Sequence, residues 1–455
     1  MKIITTAQSR EADRITIERG TPANVLMERA GSCLYEFIER TFHPLWEQRV
    51  AIFCGKGNNG GDGLVLARML DGRVASLQVV LAEDVAMNHP DRDATIVVDA
   101  LLGTGFREPV QGRYAELIRC INEDFPAAKI IAVDIPSAMR VRADFTVTFG
   151  APKAEMVLSP LAHTAGAIEV ADIGLVPDAL ESKLELSEAR GFRKMLAPRA
   201  ADAHKGNFGH VLVVGGAAGK TGAATMTGLA AARMGAGLTT VACSEPSRLA
   251  PELMSAPLHR AVSGRLTLDA SALERISVLA VGPGLGLERE LVAQLMRDAK
   301  MPMVVDADGL NSIAGSEFQG RGVETVLTPH PGEMARLLGE PVRDRVEAAR
   351  LFAASRNVCV VLKGFRTLIA VPDGRVWINP TGSPALAKGG SGDVLTGMIA
   401  GMIAQFPKDI ITAVRAAVWL HGRTGELGAE ELTESGVLAT DLLRYLPNAI
   451  RECRG

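Results

Sequence analysis

Short apolar runs rich in β-branched residues alternate with longer stretches of helical periodicity along the chain. In the first part these runs are RVAIFCG (49–55), LQVVLA (77–82), ATIVVDAL (94–101), KIIAVDI (129–135) and FTVTFG (145–150). Strands covered by helices on both faces read this way, because neither face has to alternate with polar residues. The signal fades between about residues 177 and 209, where the chain is charged, and returns with HVLVVGG (210–216), LTTVACS (238–244), VLAVGPG (278–284), PMVVDADG (302–309), TVLTPHPG (325–332) and CVVLKG (359–364). A β-hairpin is expected around PDGR, and TAVRAAVWLHGRTGELGAE reads as an Ala-rich packed helix. The pattern predicts an α/β protein of two three-layer α/β/α domains with parallel sheets, residues 1–195 and 196–455.

Length agrees, since 455 residues exceed what one hydrophobic core usually organises. Apolar residues make up 47% and aromatic ones only 4%, so the cores must be built from Ala, Val, Leu and Ile. A formal charge of −3 gives no general attraction to nucleic acid or an acidic membrane. The cysteines, Cys33, Cys54, Cys120, Cys243, Cys359 and Cys453, form no C-x-x-C pair, which argues against a zinc site and a disulfide framework. The first residues lack the apolar stretch of a signal peptide, and no run is long enough to span a bilayer. A soluble, cytoplasmic protein is expected.

Chemistry concentrates at strand ends. VAIFCGKGNNGGDGLVLARML reads as strand, glycine-rich turn and helix, a layout that brings backbone amides close to an anion, although its spacing matches neither G-x-G-x-x-G nor the Walker A loop. Asn58, Asn59 and Asp62 add oxygens within the turn, and Asp99 and Asp134 close the next strands on the ligand-binding edge of such sheets. Helix capping is the alternative for Asp62 and for Ser137.

The stretches GKGNNGGDGLVLAR, VVDALLGTGF, AVDIPS and ADFTVTFGAPK resemble the NAD(P)H-hydrate epimerases. The resemblance implies a Rossmann-like domain whose Asn58, Asn59, Gly60, Gly61 and Asp62, with Gly103, Thr104, Gly105, Phe106, Arg107, Glu108 and Pro109, bind the hydrated nucleotide. It places Asp134 close to the reacting carbon and a potassium ion on Asn59, Asp99 and Ser137, in keeping with a hard cation's preference for oxygen. Two stretches depart from the family. The step from LQVVLAEDVAMNHPD to ATIVVDALLG omits a helix and strand, and DIPSAMRVRADF replaces the usual SG and omits a long loop.

In the second part, DAHKGNFGHVLVVGGAAGKTGAATMTGLAAARMGAGLTTVA is a second glycine-rich strand-turn-helix, and VGPGLG, with Gly284 and Gly286, is another point of close backbone approach. His330 in VLTPHPGEMARLLG is either an ordinary hydrogen-bonding residue or part of a site. Lys363 caps a strand end or approaches a phosphate. Amides of Gly389, Gly390, Ser391 and Gly392 gather where the helix VLTGMIAGMIAQ begins, with Asp393 in the same first turn. Asp393 could cap that helix, but an anion hole beside a carboxylate suits phosphoryl transfer, the carboxylate taking the proton of an attacking hydroxyl.

GGSGDVLTG, NPTGSPALAKGG, TPHPGE, VLKG and HKGNFGHVLVVGG together resemble the ADP/ATP-dependent NAD(P)H-hydrate dehydratases, which are ribokinase-like. The resemblance implies that Lys363, Gly364, Phe365, Arg366, Thr367 and Gly392 contact ADP or ATP, with Mg2+. It implies further that Ala223, Gly284, His330 and Asp393 line the hydrate site, Asp393 being the base. The combined expectation is nicotinamide nucleotide repair in a homo-oligomer. Two other readings fit parts of the chain: a ribokinase-like small-molecule kinase, and a dehydratase whose first domain is a non-catalytic binding module.

Overall fold

The structure is a computed structural model, describing residues 1–84, 91–106, 109–158, 161–260 and 266–454. The chain divides into two compact units, Met1–Leu184 and Glu185–Gly455. The division falls ahead of the expected boundary at 195/196. Ser187 N–H donates to the Ile378 carbonyl, while Phe192 and Leu196 are buried in the core of the second unit, so this weakly patterned stretch belongs to that unit.

The first unit opens with helices α1 (Thr6–Glu18) and α2 (Ala23–Thr41). Its strands are β1 (Arg49–Cys54), β2 (Ser76–Leu81), β3 (Ile96–Ala100), β4 (Lys129–Val133), β5 (Phe145–Phe149) and β6 (Ala167–Ala171). They form a six-stranded sheet in the order β2-β1-β3-β4-β5-β6, every neighbouring pair parallel. Helices α3 (Asn58–Leu70) and α4 (Arg113–Glu123) follow β1 and β3. Period-two alternation sends Ile52, Val98 and Ile131 into one core with α2 and α3, and Ala51, Phe53, Val97 and Ala132 into another with α4. The strands read as continuous apolar runs because both faces are buried. Strand β6 escaped the sequence reading: its residues are only partly buried at the sheet edge, so GAIEVA carries little apolar signal.

Ala138 stands where the resembling family has glycine, and it adopts φ 54°, in the left-handed region. A Cβ there costs about 1–2 kcal/mol. Ala138→Gly is therefore expected to stabilise the first unit by about 1 kcal/mol, less whatever packing its methyl provides, read as a higher midpoint of chemical unfolding.

The second unit contains β7 (His210–Val214), β8 (Leu238–Cys243), β9 (Met254–Arg260), β10 (Leu266–Leu268), β11 (Val278–Val281), β12 (Met303–Val305), β13 (Gly322–Leu327), β14 (Val358–Leu362), β15 (Leu368–Ala370) and β16 (Val376–Ile378). They lie in the order β16-β15-β14-β13-β12-β11-β7-β8-β9-β10. The run from β14 to β9 is parallel, β15 and β16 form the expected hairpin, and β10 turns back on β9. Strands β9 and β10 were not anticipated. Helices α5 (Thr221–Met234), α10 (Ser391–Gln405), α11 (Ile410–Gly436) and α12 (Leu442–Arg454) share one core with Val211, Val213, Val278 and Ala280. Leu212, Val214, Leu279 and Val281 are buried on the opposite face, where α6 (Arg289–Asp298), α7 (Asp308–Ile313), α8 (Pro331–Leu338) and α9 (Arg345–Arg356) lie in sequence between the strands.

The glycines of GMIAGMIA set how closely α10 approaches α5. A Cβ at Gly397 would stand 2.1 Å from the Thr227 carbonyl oxygen. Thr227 Oγ1 also donates to the carbonyl of Asp393, 3.1 Å away, so this packing holds the start of α10 in place.

Candidate active sites

In each unit the chemistry sits where the strand order reverses. In the first unit β2 and β3 leave β1 in opposite directions, opening a crevice between the carboxyl ends of β1 and β3. A cavity of about 420 Å³ lies there, lined by Asn58, Asn59, Asp62, Gly103, Thr104, Gly105, Phe106 and Asp134, all sequence-predicted. Gly60 and Gly61 instead face inward. A Cβ at Gly60 would meet the Gly55 carbonyl at 1.7 Å, so Gly60 is what lets α3 start directly beneath β1. Pro109 is exposed and not among the lining residues, and Arg107 and Glu108 lie outside the described residues.

The capping alternatives do not hold. Gly57 is the N-cap of α3 without a side-chain bond, and Asp62 is further along the helix, facing the cavity. Ser137 donates its N–H and hydroxyl to fully buried Asp99 and accepts from Leu102 N–H, joining the end of β3 and the loop after it to the loop after β4 instead of capping a helix. Burial raises the Asp99 carboxyl to about 6 against the opposing hydrogen bonds of Ser137 and Leu101. Asn59 gives its amide N–H to the Val133 carbonyl at 2.6 Å, which leaves Oδ1 without a donor beside Gly103 among the described residues.

Asp134, with a left-handed φ of 64°, accepts from Thr148 Oγ1, Phe149 N–H and the ammonium of Lys153, which is 0% exposed. Sequence reasoning missed Lys153: in GAPKAE it looks like a surface lysine, and only tertiary contact with Asp134 shows otherwise.

In the second unit the reversal lies between β7 and β11, where Gly216 and Ala217 N–H bond to the carbonyls of Pro283 and Gly284. Gly284 lies against Ala223 and Lys220, and Gly286 N–H donates to Asp308, which also pairs with Lys220. Gly390 is the N-cap of α10 with φ 93°, so Asp393 is not the cap. Gly392 and Asp393 lie in the first turn, where amides have no intrahelical acceptor. Burial raises the Asp393 carboxyl to about 6, with Asp306 adding to burial and Lys363 opposing it.

Lys363 already has partners within the protein. It pairs with Asp306 at 2.8 Å and Glu333 at 3.7 Å, a Cβ on Gly392 would come within 3.4 Å of its nitrogen, and burial disfavours its charge less than Asp306, Glu333 and Asp393 favour it. Asp306 is 1% exposed and accepts from Thr396 through its second oxygen, so one carboxylate ties β12, β14 and α10 together. The turn after Lys363 is held by Arg345, which donates to the carbonyls of Lys363 and Phe365, leaving the Phe365 ring exposed; Arg366 reaches Pro380, and Thr367 bonds back to Gly364.

His330 caps α8 through its Nδ1, which accepts from Gly332 and Glu333 N–H, while Glu333 accepts from His330 N–H. His421 was unanticipated. It sits buried beneath the GGSGD turn, its Nε2 3.0 Å from the Ser391 carbonyl, and burial lowers it to about 4, so it is a neutral prop for that turn. Asp306, Glu333 and Thr396 were likewise missed, since in VVDADG, PHPGEM and VLTG nothing marks them as partners of Lys363.

A family model described as NAD(P)H-hydrate dehydratase matches residues 211–448, and one described as YjeF-related protein N-terminus matches residues 23–89 and 78–155. The bifunctional NAD(P)H-hydrate repair enzyme of Moorella thermoacetica is 39% identical over 99% of this chain and 97% of its own length. The chain belongs to the bifunctional NAD(P)H-hydrate repair enzymes. Another such repair enzyme, from Thermofilum pendens, is 36% identical over 100% of this chain and 97% of its own. The ADP/ATP-dependent NAD(P)H-hydrate dehydratase of Bacillus subtilis, crystallised with ATP and Mg2+, covers 59% of this chain and 98% of its own at 34% identity and a TM-score of 0.51. A ribokinase-like protein of Enterococcus faecalis covers 60% of this chain and 98% of its own at 27% identity and a TM-score of 0.54. The two-domain repair-enzyme architecture thus accounts for both units.

Proposed function

We propose that the first unit interconverts the R and S epimers of NAD(P)H hydrates and that the second returns the S form to NAD(P)H at the expense of ADP or ATP. The observation that carries this is the placement of Asp393 at the amide-rich start of α10, beside a Lys363–Asp306 pair that holds the turn without consuming Asp393. Asp393 takes the proton of the ring hydroxyl as that oxygen attacks the terminal phosphoryl group, and the bond from phosphorus to the nucleotide breaks. The phosphorylated oxygen then leaves with its bonding pair, a proton leaves the neighbouring carbon, and the ring double bond is restored. The first-turn amides favour the phosphate being transferred. Lys363 to Thr367, with Gly389 to Gly392, form the proposed nucleotide side of the site, and Ala223, Gly284, Gly286 and His330 the hydrate side. Mg2+ would supply charge neutralisation on the nucleotide phosphates.

In the first unit, Asn59 Oδ1, which has no donor among the described residues, the buried Asp99 carboxylate and the Ser137 hydroxyl fit a hard monovalent cation such as K+. Bound there, K+ would offset the buried charge of Asp99 and brace the loops that line the cavity. Six free cysteines support a reducing, cytoplasmic location. Among the described residues no helix is long and apolar enough to cross a membrane.

The test is to incubate the chain with hydrated NADH and either ADP or ATP while following reduced-nicotinamide absorbance. Recovery from the S form with one of the nucleotides is expected, and recovery from purified R form as well. No recovery with either nucleotide would overturn the reading.

A further inference from the structure

The epimerase cavity gathers three carboxylates from separate elements: Asp13 from α1, Asp62 from α3 and Asp134 from the end of β4. Among the described residues one buried ammonium, that of Lys153, faces this group, and it is spent. Its contacts are Asp134, Thr148 Oγ1 at 2.9 Å and the Phe149 carbonyl at 3.2 Å. Asp134 is committed in turn to Lys153, Thr148 and Phe149. Asp13 and Asp62 accept no hydrogen bond from the described residues. Asp62 is only 6% exposed, so it is a buried carboxyl without a partner among the described residues, turned into a ligand cavity. Among the described residues the remaining polar and charged groups that face the cavity are Arg10 and Lys56, both exposed, together with Ser9, Asn58, Asn59, Thr104 and Tyr114, whose hydroxyl accepts from Lys56 N–H.

We infer that Asp62 and Asp13 are the proton-transfer pair of the epimerisation, Asp62 donating and Asp13 accepting, with Lys153 positioning Asp134 beside them. This rests on the epimerase reading above. Like charges crowded into one poorly solvated cavity cannot all stay ionised, and different environments divide the roles. Burial, then Asp134 and Asp13, raise the Asp62 carboxyl to about 8. Burial and Asp134 raise Asp13 to about 6 against the pull of Lys153. Near neutral pH, therefore, Asp62 holds a proton and Asp13 does not.

The chemistry balances on that pair. Water added next to the ring nitrogen places a hydroxyl and the nitrogen on one carbon. Asp13 takes the hydroxyl proton, the oxygen electrons form a carbonyl, and the carbon–nitrogen bond breaks as nitrogen takes the Asp62 proton. Rotation about the adjacent carbon–carbon bond presents the other carbonyl face. Nitrogen then returns its proton to Asp62 and attacks that face, and the oxygen recovers its proton from Asp13. The carbon is inverted and both carboxyls end as they began.

The experiment uses the full chain and purified R-hydrate, comparing wild type, Asp13→Asn and Asp13→Glu. Asp13→Asn is expected to slow epimerisation at least about 100-fold while leaving nucleotide-dependent dehydration of the S form unchanged. Asp13→Glu should recover part of the rate, and the wild-type profile should fall off below about pH 6 and above about pH 8, with Asp13→Asn losing the acid limb. An Asp13→Asn rate within threefold of an active wild type overturns the assignment alone. No epimerisation by wild type overturns it together with the epimerase reading. If Asp13→Asn loses the fold of the first unit, shown by loss of that unit's transition in chemical unfolding, the Asp13→Glu profile decides: an unshifted acid limb overturns the role, and a shifted one supports it.

Discussion

Asp393→Asn is expected to slow nucleotide-dependent dehydration by a factor between about 100 and about 10,000, the usual worth of a positioned general base. The substitution keeps the size of the side chain and removes its ability to take a proton. Gly390 and not Asp393 caps α10, so the helix start should survive and the KM for the nucleotide should change little. The wild-type rate should be level at neutral pH and fall as pH drops through about 6, because burial and Asp306 raise Asp393 to that value and protonation removes the base. Steady-state rates for the S-hydrate between pH 5 and 8 measure both effects. Equal rates in variant and wild type would remove Asp393 from the mechanism, and a surviving acid limb in the variant would assign that limb to another group.

Lys363→Met is expected to cost the second unit about 3–5 kcal/mol, the range for removing one partner from a buried ion pair. The loss is large because one ammonium faces Asp306, Glu333 and Asp393, and Asp306 is all but inaccessible to water. Lys363 sits above its ordinary value in the folded protein. Its contribution is thus fully present below that ordinary value and is lost only as pH rises through the folded one, well above neutrality. In the variant the uncompensated carboxyls would bind protons more tightly folded than unfolded, so its deficit should shrink from pH 8 toward pH 5. Denaturant unfolding of the full chain at both pH values reads this out. A loss under 1 kcal/mol, or a deficit that grows on acidification, would mean that Lys363 is not the internal counter-charge described here.

The same lysine shows where sequence reasoning stops. VLKGFRT placed Lys363 at the end of a buried strand, either capping it or approaching a phosphate; that the protein's own anions, from three other segments, also surround it could not be read there. His330 followed the same course, its local PHPGE pattern being a helix cap made from His330 and Glu333. In the first unit the turn GKGNNGGDG, Asp99, Asp134 and Ser137 were all legible, because glycines and carboxylates at strand ends are unusual where a sheet needs only apolar residues. Asp13 and Lys153 were not legible. The first lies in a helix that reads as amphipathic packing, the second in a loop, and each acquires meaning only through contacts made in space, Asp13 with Asp62 and Asp134 around one cavity and Lys153 with Asp134 on a different strand end.

From the sequence by itself come the two α/β units, most of their strands, the glycine turns at their ligand edges and the place of Asp393 at a helix start. These are local properties: period-two burial, backbone permissiveness and helix starts are written in neighbouring residues. The tertiary structure alone decided which charges meet, which of them remain free and therefore which carboxyls keep a proton near neutral pH. Electrostatic balance depends on distance and burial in space, and spacing along the chain carries neither.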